Sequence, residues 1–202
     1  MAQAAETAKS LNRGAAETRT RALVWAGTAL AIAAIGMAGS LYLSIGMGLK
    51  ACPLCFYQRT FIMGVFAVLS VGLLVDRARA GFLCLLSLPL AMGGLGVAAF
   101  HEYLVLTSKL ECPLGVFSMG TAPLQSFVAF VFLTVVVAFG AMAGKNGLPP
   151  IRIPVVAGAT VLGSVLAWGS VASAPPLPPT PTKPYDAEKQ PLDMCRPPFR
   201  SP

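Results

Sequence analysis

The chain has 202 residues, enough for one or two soluble domains, but 55% of them are hydrophobic and only 11% are charged, against roughly a quarter charged in ordinary globular proteins. With a mean hydropathy of +0.71, its apolar residues fall in blocks of about twenty, more than a water-soluble core of this size can bury. The composition therefore excludes a soluble fold and predicts an integral membrane protein. Because the Lys and Arg residues form short clusters between the apolar blocks, we interpret the net charge of +7 as a topology signal and exclude nucleic acid as a partner.

Five apolar segments follow one another along the chain, each long enough as a helix to cross a hydrocarbon core of about 30 Å. They are residues 22–47, 56–75, 82–104, 124–143 and 153–173. They lack the alternation of a barrel strand, so we predict an all-α membrane protein, a four-helix transmembrane bundle plus a fifth transmembrane helix. The first segment is too long for the apolar region of a signal peptide, so we expect a retained helix.

Clusters of Lys and Arg predict the orientation, because short cytoplasmic loops are enriched in these residues. They precede helix 1, join helices 2 and 3, and join helices 4 and 5: Lys9, Arg13, Arg19, Arg21, Arg77, Arg79, Lys145 and Arg152. We therefore expect a cytoplasmic N-terminus and an outer C-terminus. The predicted organisation is a cytoplasmic segment 1–21, a four-helix domain 22–143, a cytoplasmic loop and fifth helix 144–173, and an outer tail 174–202.

The outer tail contains ten of the seventeen prolines, which favours extended polyproline II structure over a packed domain. At about 3.1 Å per residue, the stretch from Ala174 to Cys195 reaches up to roughly 65 Å. The tail is therefore predicted to be a tether long enough to carry Cys195 back over the outer ends of the helices.

The strongest local motif is the CxxC of Cys52 and Cys55, at the point where a loop enters helix 2. The spacing allows a reversible disulfide, Pro53 suits a first helical turn, and the helix N-terminus favours thiolate. We expect Cys55 to be the more acidic thiol, because Arg59 lies one turn later on the same helical face. The alternative for Arg59 is a side chain that only extends to the lipid headgroups.

Three further residues bear on chemistry. His101, the only histidine, lies near the outer end of helix 3, where an ionisable side chain is a functional candidate, either as a proton donor or as a hydrogen-bond partner of a ligand. The alternative is an interfacial histidine without such a role. Cys112 lies in the next loop without a neighbouring thiol, so its partner must come from elsewhere. Cys84, near the inner end of helix 3, is interpreted as a small buried apolar residue.

A metal site is a second interpretation of the same thiols. Zinc prefers four tight ligands, which Cys52, Cys55, Cys112 and Cys195 are able to supply. Met119 and Met194 would suit Cu(I). No histidine follows the CxxC, so covalent haem attachment is not indicated. We predict no resident metal.

Taken together, these features resemble the DsbB family of membrane disulfide-generating oxidoreductases. The resemblance rests on a CxxC that opens helix 2, Arg59 four residues after its second cysteine, His101 near the outer end of helix 3, and Cys112 in the following loop. It covers helices 1 to 4, about residues 22–143. It implies a protein of the bacterial inner membrane with a periplasmic outer face.

The resemblance implies electron flow from a periplasmic thioredoxin-fold carrier similar to DsbA, through two disulfides, to a membrane quinone, either ubiquinone or menaquinone. The carrier would attack Cys112 and open a Cys112–Cys195 disulfide. The electrons would then pass to Cys52–Cys55, with Cys52 attacked and Cys55 released as thiolate.

The resemblance also implies that Arg59 holds a quinone carbonyl, that His101 lies near the quinone ring, and that Gln58 lines the same site. Family members carry both exchange cysteines between helices 3 and 4 and end after helix 4, whereas this loop has one cysteine. Two alternatives therefore stay open: Cys112 acts alone, or Cys195 pairs with another protein. The alternative function is an accessory subunit of a larger membrane complex, with structural disulfides or a Cys/Met metal site.

Overall fold

Five long helices form the part of the molecule that the structure describes. The computed structural model describes residues 2–144 and 153–200. The helices are α1 Ala2–Leu41, α2 Pro53–Val75, α3 Ala80–Leu106, α4 Ala122–Ala143 and α5 Ile153–Ala172. Each is long and apolar enough to cross a membrane, so the predicted all-α bundle with a fifth transmembrane helix is confirmed. Lys145 and Arg152, used in the orientation prediction, lie outside the described residues, as does most of the predicted loop between α4 and α5.

The helix ends follow from local sequence. Helix α1 begins 20 residues before the predicted apolar segment, because residues 2–21 are rich in Ala, Glu and Arg, which favour helix. A π-helical turn, Tyr42–Gly46, follows α1. At the start of α2, Pro53 occupies the first turn as predicted and Cys52 is the N-cap residue. Thr121 caps α4 by accepting a hydrogen bond from the Leu124 N–H at 3.4 Å.

Helix α3 lies at the centre and packs against the other four helices, while α1 also packs against α2 and α4. Glycines allow this close approach. A Cβ on Gly94 would lie 2.0 Å from Cε1 of Phe130 on α4, and one on Gly81 would lie 2.4 Å from Cα of Gly144. A side chain at either position would force helices α3 and α4 apart.

Two buried clusters divide the bundle along its length. The larger fills the helix interfaces and contains Phe130, Leu69 and Leu133. The smaller lies where α2 begins and α3 ends, and it contains Cys52, Cys112 and Cys195. Large apolar side chains cover the outside of the helices, as a lipid-facing surface requires: examples are Ile35, Leu74, Val161 and Trp168.

The C-terminal tail folds back over this smaller cluster. In the part of the tail that the structure describes, residues 174–200, there is no helix beyond α5. Arg196 pairs antiparallel with Glu111 of the α3–α4 loop, through hydrogen bonds of 2.8 and 3.0 Å between their backbones. The tail thereby brings Cys195 to the loop that carries Cys112.

Candidate redox site

The CxxC motif forms the first turn of α2. Cys52 has extended backbone geometry, and its Sγ accepts a hydrogen bond from the Cys55 backbone N–H at 3.3 Å. The two sulfurs are 2.9 Å apart, and both cysteines are free thiols. Cys52 is buried and Cys55 is partly exposed. A sulfur at an N-cap position takes the place of the oxygen that usually satisfies the first N–H groups of a helix.

A disulfide joins Cys112 in the α3–α4 loop to Cys195 in the tail, 83 residues later in the sequence. Backbone hydrogen bonds between Glu111 and Arg196 hold the loop and the tail together next to this disulfide. A second attachment is made by Lys50, whose Nζ lies 2.8 Å from a carboxylate oxygen of Asp193. The same lysine donates its backbone N–H to the Asp193 carbonyl at 2.8 Å. The tail is therefore held by contacts on both sides of Cys195, in addition to the disulfide.

His101 lies between the two cysteine pairs. It is fully buried, and its Nε2 is 3.4 Å from Sγ of Cys195, 3.5 Å from Sγ of Cys112 and 3.9 Å from Sγ of Cys52. One imidazole N–H at this position is within reach of a sulfur from each pair. His101 does not line the large cavity described below. The structure thus puts it among the sulfurs, and the position near a quinone ring that the resemblance implied stays a prediction.

A chain of polar side chains holds the other side of the imidazole. Nε2 of the Gln58 amide is 3.3 Å from Nδ1 of His101, and the Gln58 Oε1 accepts a hydrogen bond from the Ser126 hydroxyl at 2.7 Å. When Gln58 donates to Nδ1, the ring proton is on Nε2 and points toward the sulfurs. Sequence reasoning identified Gln58 but missed Ser126. The available signal was a hydroxyl in the first two turns of an otherwise apolar helix.

The acidic thiol is Cys52, so the prediction that placed the acidity at Cys55 is wrong. The hydrogen bond with the Cys55 side chain lowers the pKa of Cys52 to about 4, and the interaction with His101 adds to this against the opposing effect of burial. The Cys52 sulfur also accepts the Cys55 backbone N–H as the N-cap of α2, which makes a smaller contribution in the same direction. The prediction counted the charge of Arg59 and did not include the contacts of Cys52 with the Cys55 side chain and with His101.

Arg59 is held at the end of α1. Its Nε donates to Oγ of Ser40 at 3.0 Å, and its Nη2 donates to the Ser40 carbonyl at 2.9 Å and to Oγ of Ser44 at 2.5 Å. Ser44 belongs to the π-helical turn, a departure from regular helix that often accompanies functional sites. Nη1 makes no hydrogen bond with any residue that the structure describes. Sequence reasoning missed both serines, since nothing marks them as partners of Arg59.

A cavity of about 610 Å³ opens beside Arg59, between α1, α2, α4 and the α3–α4 loop. Its polar lining includes Cys55, Gln58, Arg59 and Ser126. Most of the rest is apolar, for example Ile35, Leu43, Ile62, Phe117, Val128 and Phe130. Cavities of this size with few polar groups suit flat organic ligands. Of the residues predicted to bind a ligand, Arg59 and Gln58 line this cavity.

Of the remaining candidates, Cys84 is fully buried inside the bundle, as predicted for a small apolar residue. Because Cys112 and Cys195 are joined, the four-thiolate zinc site is incomplete in this state. Met119 is largely exposed and Met194 partly so.

Comparison with known proteins identifies similar chains. The family model described as "Disulfide bond formation protein DsbB" matches residues 20–137. A "Disulfide bond formation protein B" from Cupriavidus pinatubonensis is 32% identical over 142 residues, which are 69% of this chain and 81% of that protein. One from Ralstonia nicotianae is 35% identical over 102 residues, 49% of this chain and 58% of that protein. A "Probable disulfide formation protein" from Chlamydia muridarum is 27% identical over 109 residues, 49% of this chain and 78% of that protein. No solved structure matches.

Proposed function

The chain belongs to the DsbB family of disulfide bond formation proteins, and from this premise we propose that it is a membrane thiol:quinone oxidoreductase. Its proposed substrate is a periplasmic dithiol carrier of the thioredoxin fold, similar to DsbA. Its proposed final acceptor is a membrane quinone, ubiquinone or menaquinone. As a multi-pass protein of a bacterial membrane, it would hold the cysteine cluster at the periplasmic face and its N-terminus in the cytoplasm.

One observation carries the proposal: two cysteine pairs, one oxidised and one reduced, converge on the same histidine nitrogen. Sulfurs of Cys52, Cys112 and Cys195 all lie within 3.9 Å of Nε2 of His101. Thiol–disulfide exchange needs an attacking sulfur, an attacked sulfur and a leaving sulfur in one place. A structural staple has no need of a second, unpaired CxxC beside it.

The proposed exchange starts with attack by a carrier thiolate on Sγ of Cys112. A mixed disulfide forms and Cys195 leaves as thiolate. The Cys195 thiolate attacks Cys52 of the oxidised CxxC and releases Cys55. The second carrier thiolate resolves the mixed disulfide and frees Cys112, which then attacks Cys195 in the Cys52–Cys195 bond and releases Cys52. Two electrons have moved, the carrier is oxidised, and the Cys112–Cys195 bond is restored.

That end point has the pairing of the present structure, a joined Cys112–Cys195 and free Cys52 and Cys55. His101 is proposed to donate its Nε2 proton in a hydrogen bond to Cys195 or to Cys52 when that sulfur leaves as thiolate. The low pKa of Cys52 makes it a good leaving group in the last step, because acidic thiols leave faster.

The size and the lining of the large cavity support the choice of a quinone as the acceptor. Its apolar walls suit the ring and the isoprenoid chain, and the unpaired Nη1 of Arg59 is a donor for a carbonyl oxygen. Gln58 and Cys55 line the same space, so the reduced CxxC has one thiol at the cavity. A quinone bound here would take two electrons and two protons from the reduced CxxC, and Cys52 and Cys55 would rejoin as a disulfide. Arg59, held by Ser40 and Ser44, would orient it and place a positive charge beside its oxygen.

The test is quinone reduction by a reduced thioredoxin-fold carrier, using the full chain in detergent. We expect turnover in the parent, no turnover in Cys55→Ser, and near-normal turnover in Cys84→Ala. Cys84 is the matched control because it is buried away from the cluster. No turnover of the parent with either quinone class would favour the accessory-subunit alternative. The proposed orientation is tested separately with an impermeant thiol reagent on intact cells, which should reach residue 195 from outside after reduction.

A further inference from the structure

The side chains around His101 also have the chemistry and the spacing of a metal site. We propose that the fully reduced protein binds one thiophilic d¹⁰ cation, with Zn²⁺ as the type case, through the sulfurs of Cys52, Cys55 and Cys195 and the imidazole of His101. These four ligand atoms all lie within 4.8 Å of one another. The set of three thiolates and one histidine is a common structural zinc site.

The distances are close to those of a tetrahedral site. Zinc–sulfur and zinc–nitrogen bonds of about 2.3 and about 2.0 Å put two sulfurs about 3.8 Å apart and a sulfur and a nitrogen about 3.5 Å apart. Nε2 of His101 is now 3.9 Å from the Cys52 sulfur and 3.4 Å from the Cys195 sulfur. The Cys52 and Cys55 sulfurs, 2.9 Å apart, need to separate by about 0.9 Å to reach that tetrahedral spacing.

The surroundings support a metal-bound imidazole. A histidine ligand needs an unprotonated Nε2, so its proton must move to Nδ1 and find an acceptor there. Gln58 faces Nδ1, and rotation of its amide by half a turn presents the oxygen instead of the NH₂. Ser126, which donates to Gln58 now, is then able to accept, since a hydroxyl does both. The pair therefore satisfies either histidine tautomer.

Binding requires reduction of Cys112–Cys195, because Cys195 is otherwise occupied in the disulfide. A dithiol supplies the two electrons and becomes a disulfide. The cation then binds the ligand sulfurs and displaces the proton from each ligand thiol that is still protonated. These protons go to solvent, and the binding step transfers no electrons. Cys112 remains as a free thiol. The same sulfur lone pairs are needed for exchange, so the bound cation holds the protein reduced. This last consequence rests on the proposed function, whereas binding itself does not.

The experiment uses the full chain in detergent, reduced with a phosphine without oxygen, freed of reductant and titrated with Co²⁺ and then Zn²⁺. We expect one equivalent of Co²⁺ with the visible bands of a tetrahedral site and thiolate charge-transfer bands, displaced by one equivalent of Zn²⁺. Protein with the Cys112–Cys195 disulfide intact should bind at least about 10-fold more weakly, because loss of a group that supports a ligand already costs about 10- to 100-fold. Equal binding by both forms would overturn the proposal, as would no binding by the reduced form.

Variants test the ligand assignment. Cys112→Ser should keep the stoichiometry and the spectrum, while Cys195→Ser should change the charge-transfer bands and weaken binding. Equal behaviour of the two variants would refute the role of Cys195. Gln58→Leu should weaken binding about 10- to 100-fold, as expected for a group that supports a ligand. Cys84→Ala controls for folding and should bind as the parent does.

The two proposals fail separately. Zn²⁺ should slow carrier oxidation, and a chelator should restore it. If the protein turns over with quinone but its reduced form takes up no Co²⁺ or Zn²⁺, the metal site is wrong and the proposed function stands. If the reduced protein binds one equivalent of Zn²⁺ but no quinone supports turnover, the proposed function is wrong and the metal site stands.

Discussion

The Cys52 thiol should be ionised well below neutral pH, and the substitution Cys55→Ala should remove part of that acidity. Three contacts favour the charged sulfur. They are the Cys55 side chain at 2.9 Å, Nε2 of His101 at 3.9 Å and the Cys55 backbone N–H at 3.3 Å. They lower the pKa from an ordinary 9.0 to about 4. The substitution removes the first contact, which is the largest cause, and leaves the other two.

The size of the effect follows from the energy of one hydrogen bond. A bond to a charged group contributes about 1.5–3 kcal/mol, and a pKa change of one corresponds to about 1.4 kcal/mol. We therefore expect Cys55→Ala to raise the pKa of Cys52 by about one to two. Cys55→Ser is the matched control, because its hydroxyl still donates to the sulfur and should preserve most of the acidity.

The assay is the rate of alkylation of Cys52 as a function of pH, followed on its own peptide by mass spectrometry in protein whose CxxC is reduced. A lowered pKa means that the thiolate persists above that pKa and is lost as the pH falls through it, so the informative limb is acidic. A single rate at pH 7 does not discriminate, since the thiolate fraction is near one in both proteins. The same midpoint in the parent and in Cys55→Ala, or a parent midpoint near 9.0, would refute the reasoning.

The remaining predictions concern the cavity and the packing. Arg59→Ala should raise the KM for quinone about 10- to 100-fold, which corresponds to the free energy of one hydrogen bond to a charged group. The rate of thiol exchange between the carrier and the CxxC, measured without quinone, should stay within about twofold of the parent rate. An unaltered KM would argue against the role of Arg59. Gly94→Ala should destabilise the bundle by about 1–3 kcal/mol, because the added Cβ would lie 2.0 Å from the Phe130 ring. Gly27→Ala is the control and should not destabilise the bundle in this way, because a Cβ there meets nothing within 4 Å. Thermal unfolding in detergent measures both, and equal midpoints would contradict the packing argument.

The helices were predictable because lipid imposes a local rule. A segment of this kind that crosses the membrane must be long, apolar and helical. The predicted segments 82–104 and 124–143 accordingly lie within α3 and α4, and each predicted end is within three residues of the corresponding helix end. The CxxC at the first turn of α2 was equally predictable, since Pro53 marks that turn by its own chemistry. The roles of the site residues stay predictions.

Distances between helices were not predictable, and they decide the chemistry. The resemblance implied the Cys112–Cys195 disulfide, but proline content fixes only the reach of the tail, so the pairing of Arg196 with Glu111 beside that disulfide was not predictable. His101 was identified as a functional candidate near the outer end of helix 3, and packing of α3 against the α2 N-terminus puts its nitrogen among the sulfurs.

What the sequence determined by itself was the set of segments and reactive groups, because spacing along one helix is local. What only the tertiary structure decided was which thiol is acidic and which atoms share the imidazole. A pKa depends on the few ångströms around a sulfur, and Cys52 gains its acidity from a thiol in the next turn and a histidine 49 residues away. Those contacts exist only after the helices have packed.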